Sequence, residues 1–558
     1  MNENKHFIEQ IIDEDVLSGF PKAKIKFRFP PEPNGFLHIG HVKAICVNFN
    51  LAKQYNAPIV LRFDDTNPEK EEQIFIDAIK NDISWLGFKW SEERFASDYF
   101  DQLYLWAEKL ITNNKAYVDS QNSSLIAEQK GTPTSAGSNS PFRERTTEEN
   151  LELFREMKQG VHNEGTHVLR AKISMSANNM LLRDPVLYRI LKKEHPRTKS
   201  NWVIYPMYDW AHGESDYIEQ ISHSLCTLEF KPHRELYNWF LKQIAEPEKI
   251  KPKQREFARL NLSHTITSKR KLMLLVEGGH VSGWDDPRMP TISGLRRRGY
   301  PAKALVAFVE AAGVAKRENT IESSLLEFCA REELNKTTQR VMVVSDPIKI
   351  VVTNYPENKT EFIKTENNPE DPSSGNREVP FSNEILIEKE DFKEEANNKF
   401  FRLTVGKEVR LKGAYIILAN KVVYNDDQTI KEVQCTYDPK SKSGSGSIES
   451  QRKVKGTLHW VSKPEAFEIE IREYDRLFVE PSPATAKSND ELIEMLNKDS
   501  MRTLIGYAEP FLKTATTGAQ YQFQRKGYYI TDQDSSLGKV IFNKTVGLRD
   551  NRTKKPTN

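Results

Sequence analysis

Two histidines, His38 and His41, stand three positions apart at the start of a segment whose apolar residues recur at helical spacing. Before them, residues 24–29 alternate charged and apolar side chains, which is typical of a strand with one buried face, and residues 33–35 read Pro-Asn-Gly, a turn sequence. The start of a helix carries unpaired N–H groups and partial positive charge, and two imidazoles one turn apart add donors on the same face. This stretch therefore predicts a site for an anion, such as a nucleotide phosphate.

Gly40, between the two histidines, leaves room for a flat ring such as adenine to approach the backbone. A bare pair of histidines at this spacing is more often part of an ordinary amphipathic helix. Residues 28–41 together read Arg-Phe-Pro-Pro-Glu-Pro-Asn-Gly-Phe-Leu-His-Ile-Gly-His, and the longer string favours the nucleotide site. It resembles the HIGH motif of class I aminoacyl-tRNA synthetases, in the form carried by the glutamyl and glutaminyl enzymes. The resemblance implies ATP contacts from Glu32, Pro33, Asn34, Gly35, His38, Gly40 and His41.

The length, net charge and cysteine content of the chain limit the class of protein to which it can belong. At 558 residues the chain is too long for one core, so several domains are expected. The net charge of +2 gives no global sign of a nucleic-acid partner, and any such site must be a local basic patch. Four cysteines without a C-x-x-C pair argue against a zinc site or disulfide framework. With no leader-like or membrane-length apolar stretch, we expect a cytoplasmic protein without a membrane partner.

The order of elements predicts a parallel α/β sheet. Residues 59–63 read as a second buried strand that ends at Asp64, and Asn67 is expected to cap a following helix with Pro68 at its first position. Ligands bind beyond the carboxyl ends of parallel strands, where Arg28 and Asp64 fall. A carboxylate there either holds an ammonium group or caps its own loop. By the resemblance, Asp64 contacts the α-amino group of the amino-acid substrate.

Residues 99–200 interrupt this sheet, and the resemblance implies that they form a domain that binds the acceptor stem of tRNA. Glutaminyl enzymes can carry an apolar wedge in the loop after Gly131 and Thr132, and Pro133 occupies that place here. We expect the parallel sheet to resume at residues 202–205.

The residue at position 226 bears on the choice of amino acid. Glutamyl enzymes of the subfamily tend to carry Arg there, because their substrate ends in a carboxylate that a guanidinium can pair. A side-chain amide needs no countercharge, and an unpaired Arg buried against it would cost on the order of several kcal/mol. Cys226 equally suits a small core position, and both interpretations exclude a charge. The resemblance implies glutamine contacts from Arg28, Asp64, Tyr208, His212, Cys226, Phe230 and Gln254.

A second motif lies at residues 265–272, Thr-Ile-Thr-Ser-Lys-Arg-Lys-Leu. Alone, a short basic run is usually a solvated loop. This one resembles the KMSKS loop of the family, with Ser268 and Lys269 kept and Thr267 in place of Met. A flexible Lys269 can follow phosphate charge as it moves to the leaving group. The resemblance assigns catalysis to His38, His41 and Lys269, and further ATP contacts to Arg259, Leu260, Ser268, Lys269 and Arg270.

The second half of the chain alternates apolar residues in short runs between Gly, Pro and Asn turns, which predicts β-barrels. Basic residues lie beside aromatic ones there, as at Arg525, and unstacked RNA bases need this combination. The aromatic residues also suit a barrel core. By the resemblance the two barrels recognise the anticodon, and the expected tRNA contacts are Arg340, Lys399, Arg402, Arg410, Lys412 and Arg525.

The expected fold is multidomain α/β plus β. It comprises a Rossmann-type catalytic sheet with an inserted acceptor-binding domain, a helical connector and two C-terminal antiparallel β-barrels. The expected boundaries are 1–98 and 201–270 for the catalytic halves, 99–200 for the insertion, 271–338 for the connector and 339–558 for the barrels.

The implied activity is the ATP- and Mg²⁺-dependent activation of L-glutamine to an adenylate, followed by transfer to the 3′-terminal adenosine of glutamine tRNA. By the resemblance, bound tRNA is needed for activation. We expect a monomer without a protein-bound metal. Two alternatives stay open: a glutamyl enzyme of the same subfamily, and a catalytically inactive tRNA-binding relative.

Overall fold

The computed structural model describes residues 5–397 and 399–549, so the outer ends of the first and last expected domains, residues 1–4 and 550–558, lie outside the described part. The chain divides into two compact units. One consists of Met1–Asn261 with Val309–Ile321, and the other of Leu262–Phe308 with Glu322–Asn558. The expected domain boundaries are finer than this division and stay predictions.

The helices lie mainly in the first two thirds of the chain. In chain order they are α1 (Phe7–Leu17), α2 (Ile39–Tyr55), α3 (Gln73–Trp85), α4 (Phe100–Thr112), α5 (Ser123–Gln129), α6 (Thr147–Gln159), α7 (Tyr208–Ile218), α8 (Arg234–Ile244), α9 (Lys269–Glu277), α10 (Ile292–Arg298), α11 (Ala302–Ala312), α12 (Ser323–Thr337), α13 (Ile448–Gln451) and α14 (Asn489–Glu494). In the part of the chain that the structure describes, none of them combines the length and apolar character needed to cross a membrane.

The strands up to residue 321 are short. They are β1 (Phe27–Phe29), β2 (Ile59–Phe63), β3 (Glu92–Phe95), β4 (Ala116–Asp119), β5 (Val168–Ala171), β6 (Val186–Ile190), β7 (Ile204–Pro206), β8 (His223–Thr227), β9 (Lys253–Phe257), β10 (Asn261–Leu262) and β11 (Thr320–Ile321). The later strands are β12 (Gln339–Val341), β13 (Val343–Val344), β14 (Pro347–Val352), β15 (Glu361–Glu366), β16 (Asn376–Phe381), β17 (Glu384–Glu388), β18 (Glu408–Leu411), β19 (Ile416–Tyr424), β20 (Ile430–Tyr437), β21 (Thr457–Leu458), β22 (Val461–Ser462), β23 (Phe467–Tyr474), β24 (Met501–Ala508), β25 (Gln520–Phe523), β26 (Gly527–Thr531) and β27 (Ile541–Gly547).

Parallel strands form the centre of the first unit, as predicted. Strands β1, β2 and β3 pair in parallel in that order, and β8 pairs in parallel with β9. The Ser222 N–H donates to the Lys26 carbonyl (3.0 Å), so β8 begins beside β1. All five residues of β2 are buried, which a parallel strand covered on both faces requires. The carboxyl ends of β1, β2 and β8 therefore face the same edge.

Two local predictions in this unit are wrong. Strand β7 does not resume the parallel sheet: it pairs antiparallel with β6, within the four-stranded sheet β4-β5-β6-β7 of the insertion. Helix α3 begins at Gln73, with Glu72 as its N-cap, and not at Pro68. The Asn67 N–H donates to the Glu71 carboxyl group (2.6 Å), and this local hydrogen bond replaces the expected first turn.

Two seven-stranded barrel-like sheets form most of the second unit. Their orders are β12-β25-β26-β27-β23-β24-β13 and β21-β18-β19-β20-β14-β17-β22. Most neighbours are antiparallel, and four pairs are parallel, β12 with β25, β14 with β20, β18 with β21 and β23 with β27. The aromatic residues Tyr415, Tyr521, Phe523 and Tyr529 are buried in the barrel cores, and Tyr528 is buried beside Asn335.

Candidate active site

The N-terminus of α2 holds the two histidines against the backbone. His38 is the N-cap, and its Nδ1 accepts from the Gly40 N–H (3.1 Å), while His41 Nδ1 accepts from the His38 N–H (3.1 Å). The ring centroids are 3.9 Å apart. This reciprocal capping fixes both rings in the first turn of a 17-residue helix.

Both imidazoles are neutral donors. Burial, with the neighbouring His41, lowers the pKa of His38 well below its usual value, and burial lowers the pKa of His41 to about 4. Because each Nδ1 accepts a backbone N–H, the single proton of each neutral ring lies on Nε2. The site therefore presents two Nε2–H donors together with the positive end of the helix dipole, which suits phosphate oxygens.

Gly40 makes room for His38. A Cβ built at Gly40 would lie 2.8 Å from His38 Cε1 and 3.8 Å from the Leu260 carbonyl oxygen. Glycine is therefore required at position 40, because the His38 imidazole fills the space that a side chain would need. The sequence suggested this space for a flat ligand ring. A direct contact of Gly40 with adenine stays a prediction.

The loop before α2 lies against the loop after β2. The Asp64 N–H donates to the Pro31 carbonyl (3.0 Å) and the Glu72 N–H to the Pro33 carbonyl (3.2 Å). Within the first loop, Asn34 Nδ2 donates to the exposed Glu32 carboxylate (2.5 Å). The predicted ATP-binding residues 32–35 therefore border the predicted amino-acid site.

Glu318 holds the predicted nucleotide residues that follow β9. Its carboxylate accepts from the Arg259 N–H (3.3 Å) and from Asn261 Nδ2 (2.9 Å), and Arg259 Nε lies 3.7 Å away. Leu260, between them, is buried, and its carbonyl borders the Gly40 position. The Leu260 carbonyl therefore lies near the N-terminus of α2, and the contacts of Arg259 and Leu260 with ATP stay predictions.

Arg28, the middle residue of β1, is fully buried, and its guanidinium group forms hydrogen bonds within the protein. Nε donates to Asp216 Oδ1 (3.0 Å), Nη1 to the Leu225 carbonyl (2.8 Å), and Nη2 to Ser224 Oγ (2.8 Å). Nη2 also lies 3.1 Å from His212 Nε2. Because burial lowers the pKa of His212 to about 3, this neutral ring accepts from Arg28 through Nε2. Arg28 lies in the predicted site and orders its wall.

Sequence reasoning missed the carboxylate that anchors this wall. Asp216 Oδ1 also accepts from Arg62 Nη2 (2.8 Å), and Oδ2 accepts from Ser224 Oγ (2.7 Å) and Tyr237 OH (3.0 Å). Although burial opposes ionisation, Arg28 and Arg62 hold the pKa of Asp216 far below its usual range. The sequence carried a signal for Asp216, because it stands four positions after His212 and therefore on the same face of α7.

A second carboxylate completes the network. Glu219 accepts from Arg62 Nη1 (2.9 Å) and from Tyr99 OH (3.0 Å). Arg28 and Arg62 are thus balanced by Asp216 and Glu219, all four with side chains at most 3 % exposed. The two positive and two negative charges buried behind the amino-acid site therefore balance.

Asp64 supplies a carboxylate with a raised pKa. Burial, reinforced by the charge of Glu32, raises the pKa of Asp64 to about 7. Its Oδ1 accepts from Thr66 Oγ1 (3.0 Å). This is a buried carboxylate with hydrogen-bonding capacity left for a ligand cation, since the ionised group accepts several hydrogen bonds.

Aromatic and neutral groups form the rest of the predicted glutamine site. Tyr208 stacks on His212 with centroids 5.0 Å apart and meets Phe230 at 5.5 Å. Gln254 Nε2 donates to the Phe230 carbonyl (3.0 Å), and Cys226 Sγ lies 3.8 Å from the Arg255 carbonyl. Burial raises the pKa of the Cys226 thiol to about 12, so it is uncharged.

The KMSKS-like stretch belongs to the second unit. Ser268 is the N-cap of α9, which begins at Lys269. Leu272 and Leu275 of the same helix are buried with Phe478, and Lys271 Nζ donates to the Ala484 carbonyl (3.1 Å). The contacts of Ser268, Lys269 and Arg270 with ATP stay predictions.

A basic cavity of about 1000 Å³ lies in the second unit and unites three of the predicted tRNA contacts. Arg402 and Arg525 both bind Asp391, with Nε–Oδ1 at 3.2 Å and Nη2–Oδ1 at 2.7 Å. Phe401 is 52 % exposed, and Lys455 Nζ lies 5.3 Å from its ring centroid. The cationic lining residues are Lys389, Lys393, Lys399, Arg402, Lys455 and Arg525.

The other three predicted tRNA contacts do not line this cavity. Arg340 is buried and donates to Asn335 Oδ1 (2.9 Å) and to Asn368. Arg410 donates to the carbonyls of Ser441 (3.0 Å) and Ser450 (2.8 Å), and Lys412 is exposed. Of these three residues, Arg340 is buried, Arg410 is half-buried and Lys412 is exposed, and all three contacts with tRNA stay predictions.

One cluster in the described residues has the spacing of a metal site, Asp65, Glu71 and His195. His195 Nδ1 accepts from the N–H groups of Arg197 (3.1 Å) and Thr198 (3.2 Å). Its proton therefore lies on Nε2, which donates to the Asp65 carbonyl (2.8 Å). A protonated nitrogen cannot bind a metal, so this cluster does not fit one.

Family models match nearly the whole chain. The model of the class I tRNA synthetase (E and Q) catalytic domain matches residues 24–336, and two models of the anticodon-binding domain of the same enzymes match residues 338–438 and 457–532.

Two similar curated proteins are glutamine–tRNA ligases. The protein from Rhodopirellula baltica is 52% identical over 98% of this chain and 90% of its own length, and that from Cronobacter sakazakii is 52% identical over 98% and 97%. Two solved glutamate–tRNA ligase structures, from Elizabethkingia meningosepticum and Elizabethkingia anophelis, match with TM-scores of 0.42 and 0.43. Their identities are 18% and 19%, covering 56% of this chain and 70% and 71% of theirs.

Proposed function

The chain belongs to the class I tRNA synthetases of the glutamate and glutamine type, and we propose that it activates L-glutamine with ATP and transfers it to glutamine tRNA. The observation that carries this proposal is the 52% identity to glutamine–tRNA ligases over 98% of the chain. The uncharged Cys226 in the amino-acid site supports glutamine, because position 226 itself carries no cation that could pair a substrate carboxylate.

In the first step, the glutamine carboxylate attacks the α-phosphorus of ATP. A new oxygen–phosphorus bond forms, the bond to the β-phosphate bridge breaks, and pyrophosphate leaves. No general base is required, because the nucleophile is already an anion. The Nε2–H groups of His38 and His41 and the positive end of α2 stabilise the charge that develops on the phosphates.

Lys269 is proposed to follow the leaving phosphates, on the strength of its place in the KMSKS-like motif. Mg²⁺ is proposed to enter as the ATP complex.

The amino acid is held at both ends in this proposal. Asp64 accepts the α-ammonium group, and the side-chain amide lies among Tyr208, His212 and Phe230 with the neutral Cys226 and Gln254. Arg28 acts on this site by fixing His212 and the carbonyl of Leu225 in the middle of β8.

In the second step, the 2′-OH of the terminal adenosine attacks the adenylate carbonyl, the ester forms and AMP leaves. The basic cavity of the second unit is proposed to receive an unstacked tRNA base, since Phe401 offers an exposed ring among cations. We also propose that the protein is a monomer and acts in the cytoplasm, as its four free cysteines suit a reducing compartment.

Pyrophosphate exchange tests the proposal. The purified protein, supplied with tRNA and Mg–ATP, is assayed with glutamine and with glutamate, and the rate with glutamine should dominate. Equal rates, or a preference for glutamate, would contradict it. Aminoacylation of tRNA provides the second readout: tight tRNA binding with no charging by any amino acid would identify an inactive relative.

A further inference from the structure

The loop after β2, residues 64–72, presents Asp64 to the amino-acid site without secondary structure of its own. It lies between β2 and α3, and its Asp64 N–H donates to Pro31. A loop that places a charged group needs contacts from elsewhere to fix it, because each free residue costs conformational entropy when it is ordered. The neighbouring elements supply these contacts.

The side chain of Asp65 is fixed by Ser97. Asp65 Oδ1 accepts from the Ser97 N–H (2.8 Å), and Oδ2 accepts from Ser97 Oγ (2.6 Å). Arg197 Nη1 donates to the same Ser97 Oγ (2.7 Å). The Asp65 carboxylate is thus bound by Ser97 and is directed away from the amino-acid site. Of the two neighbouring acidic residues, Asp64 is the one that faces this site.

The backbone of Asp65 is fixed by His195, which lies in the insertion beyond β6. His195 is 0 % exposed, and its ring packs against Phe100 (centroids 5.7 Å) and Tyr205 (5.9 Å). Two backbone N–H groups orient Nδ1, so Nε2 carries the proton that is donated to the Asp65 carbonyl at 2.8 Å. The ring is therefore a preset donor with one possible orientation.

Two further contacts hold the rest of the loop. Arg189 of β6 donates from Nη2 to Asn67 Oδ1 (2.9 Å), and the Asn67 N–H donates to Glu71 (2.6 Å). Burial, together with the charge of Asp65, raises the pKa of Glu71 to about 9, so the buried carboxyl beside Asp65 is neutral. Glu71 therefore adds no further buried charge beside Asp65.

From this geometry we infer that His195 is a positioning residue for Asp64: its Nε2–H fixes the Asp65 carbonyl, and through it the direction in which Asp64 meets the α-ammonium group of the amino acid. The inference rests on the proposed function, because it concerns the amino-acid site. It also ties that site to the insertion, since Arg189 and His195 both belong to residues 99–200.

Two substitutions distinguish the roles of the two ring nitrogens of His195. In His195→Gln the amide nitrogen lies as far from the backbone as imidazole Nε2, so the donor to Asp65 is kept. In His195→Asn the amide oxygen replaces Nδ1 as the acceptor, and the donor to Asp65 is lost. His223→Asn is the matched control, because His223 is equally buried in the same unit and binds Ser222 and Asp15 instead.

The measurement is tRNA-supported pyrophosphate exchange as a function of glutamine and of ATP, with thermal unfolding of each variant. His195→Asn should raise the KM for glutamine about 10-fold with the KM for ATP unchanged, and His195→Gln should stay within about 2-fold of the wild type. An unchanged KM for glutamine in His195→Asn would overturn the inference, as would equal rises in both KM values.

If His195→Asn does not fold, Arg189→Met tests the same loop through Asn67 and should raise the KM for glutamine in the same direction; no change there would overturn the inference. Failure of the proposed function is distinguishable, because the wild type would then not use glutamine at all. If the wild type uses glutamine and His195→Asn has the same KM for glutamine, only the inferred role of His195 is refuted.

Discussion

Arg28 Nε lies 3.0 Å from Asp216 Oδ1, and neither side chain is exposed to solvent. The pair joins the middle of β1 to the last turn of α7, through two residues separated by 188 positions in the chain. It places the wall of the amino-acid site at the edge where β1, β2 and β8 end. The site therefore depends on this buried charge network for its shape.

Replacing Asp216 should destabilise the first unit. Asp216→Asn leaves two buried guanidinium groups, Arg28 and Arg62, with only Glu219 as an anion, and the expected loss is about 3–5 kcal/mol. Denaturant unfolding measures it. Asp209→Asn on the same helix is the control, since Asp209 is a quarter exposed and binds His233; its loss should be below about 1 kcal/mol. Similar losses in both variants would contradict the role of the network.

Glutamine binding should strengthen as the pH rises through about 7. The pKa of Asp64 is about 7 in the free protein, and only the ionised carboxylate binds an ammonium group, so the complex holds fewer protons than the free site. Between pH 6 and pH 8 the ionised fraction rises roughly 10-fold, and the KM for glutamine should fall by about that factor.

Glu32→Gln provides the matched variant for this profile. Removing the neighbouring negative charge should lower the pKa of Asp64 and move the midpoint to lower pH. Glutamine KM values are measured from pH 5.5 to 8.5 in both proteins. A flat profile in the wild type, or coincident midpoints, would show that Asp64 does not control binding.

An arginine at position 226 should abolish the use of glutamine. Cys226→Arg adds a positive charge beside a network in which two arginines are already balanced by two carboxylates. We expect a loss of at least about 100-fold in kcat/KM for glutamine, because an uncompensated buried charge costs several kcal/mol. The new charge alone need not confer activity with glutamate.

Cys226→Ser is the control for this substitution. It keeps a small neutral side chain and should retain activity within about 10-fold, measured by the same exchange assay with both amino acids. Full glutamine activity in Cys226→Arg would refute the argument from the neutral pocket.

Removing the exposed ring from the basic cavity should weaken tRNA binding. Phe401→Ala should raise the Kd for tRNA about 10-fold, as expected for the loss of one stacked base. Phe362→Ala is the control, because Phe362 is 60 % exposed in the same unit and does not line the cavity. Filter binding at several salt concentrations measures both, and equal effects would argue against base stacking at Phe401.

The sequence alone determined the chemistry and the family. The strings at residues 28–41 and 265–272 are contiguous, so their residue types and spacing carry the signal without tertiary information. The parallel sheet, the confirmed helix after the two histidines and the barrel-like second half followed from periodicity, because a buried face imposes a period of 2 or 3.6 on any strand or helix. The matches to family models at residues 24–336, 338–438 and 457–532 agree with those predictions.

Tertiary structure decided how the side chains pair. Arg28 was predicted as a ligand contact, but its donors are directed by Asp216, Ser224 and Leu225, which lie nearly 200 positions away. Strand β7 pairs with the preceding strand β6 instead of the parallel sheet, and α3 begins at Gln73 because the backbone N–H groups of Asn67 and Glu72 bind Glu71 and Pro33. The proton positions on His38 and His41 likewise depend on backbone N–H groups whose directions exist only in the folded chain.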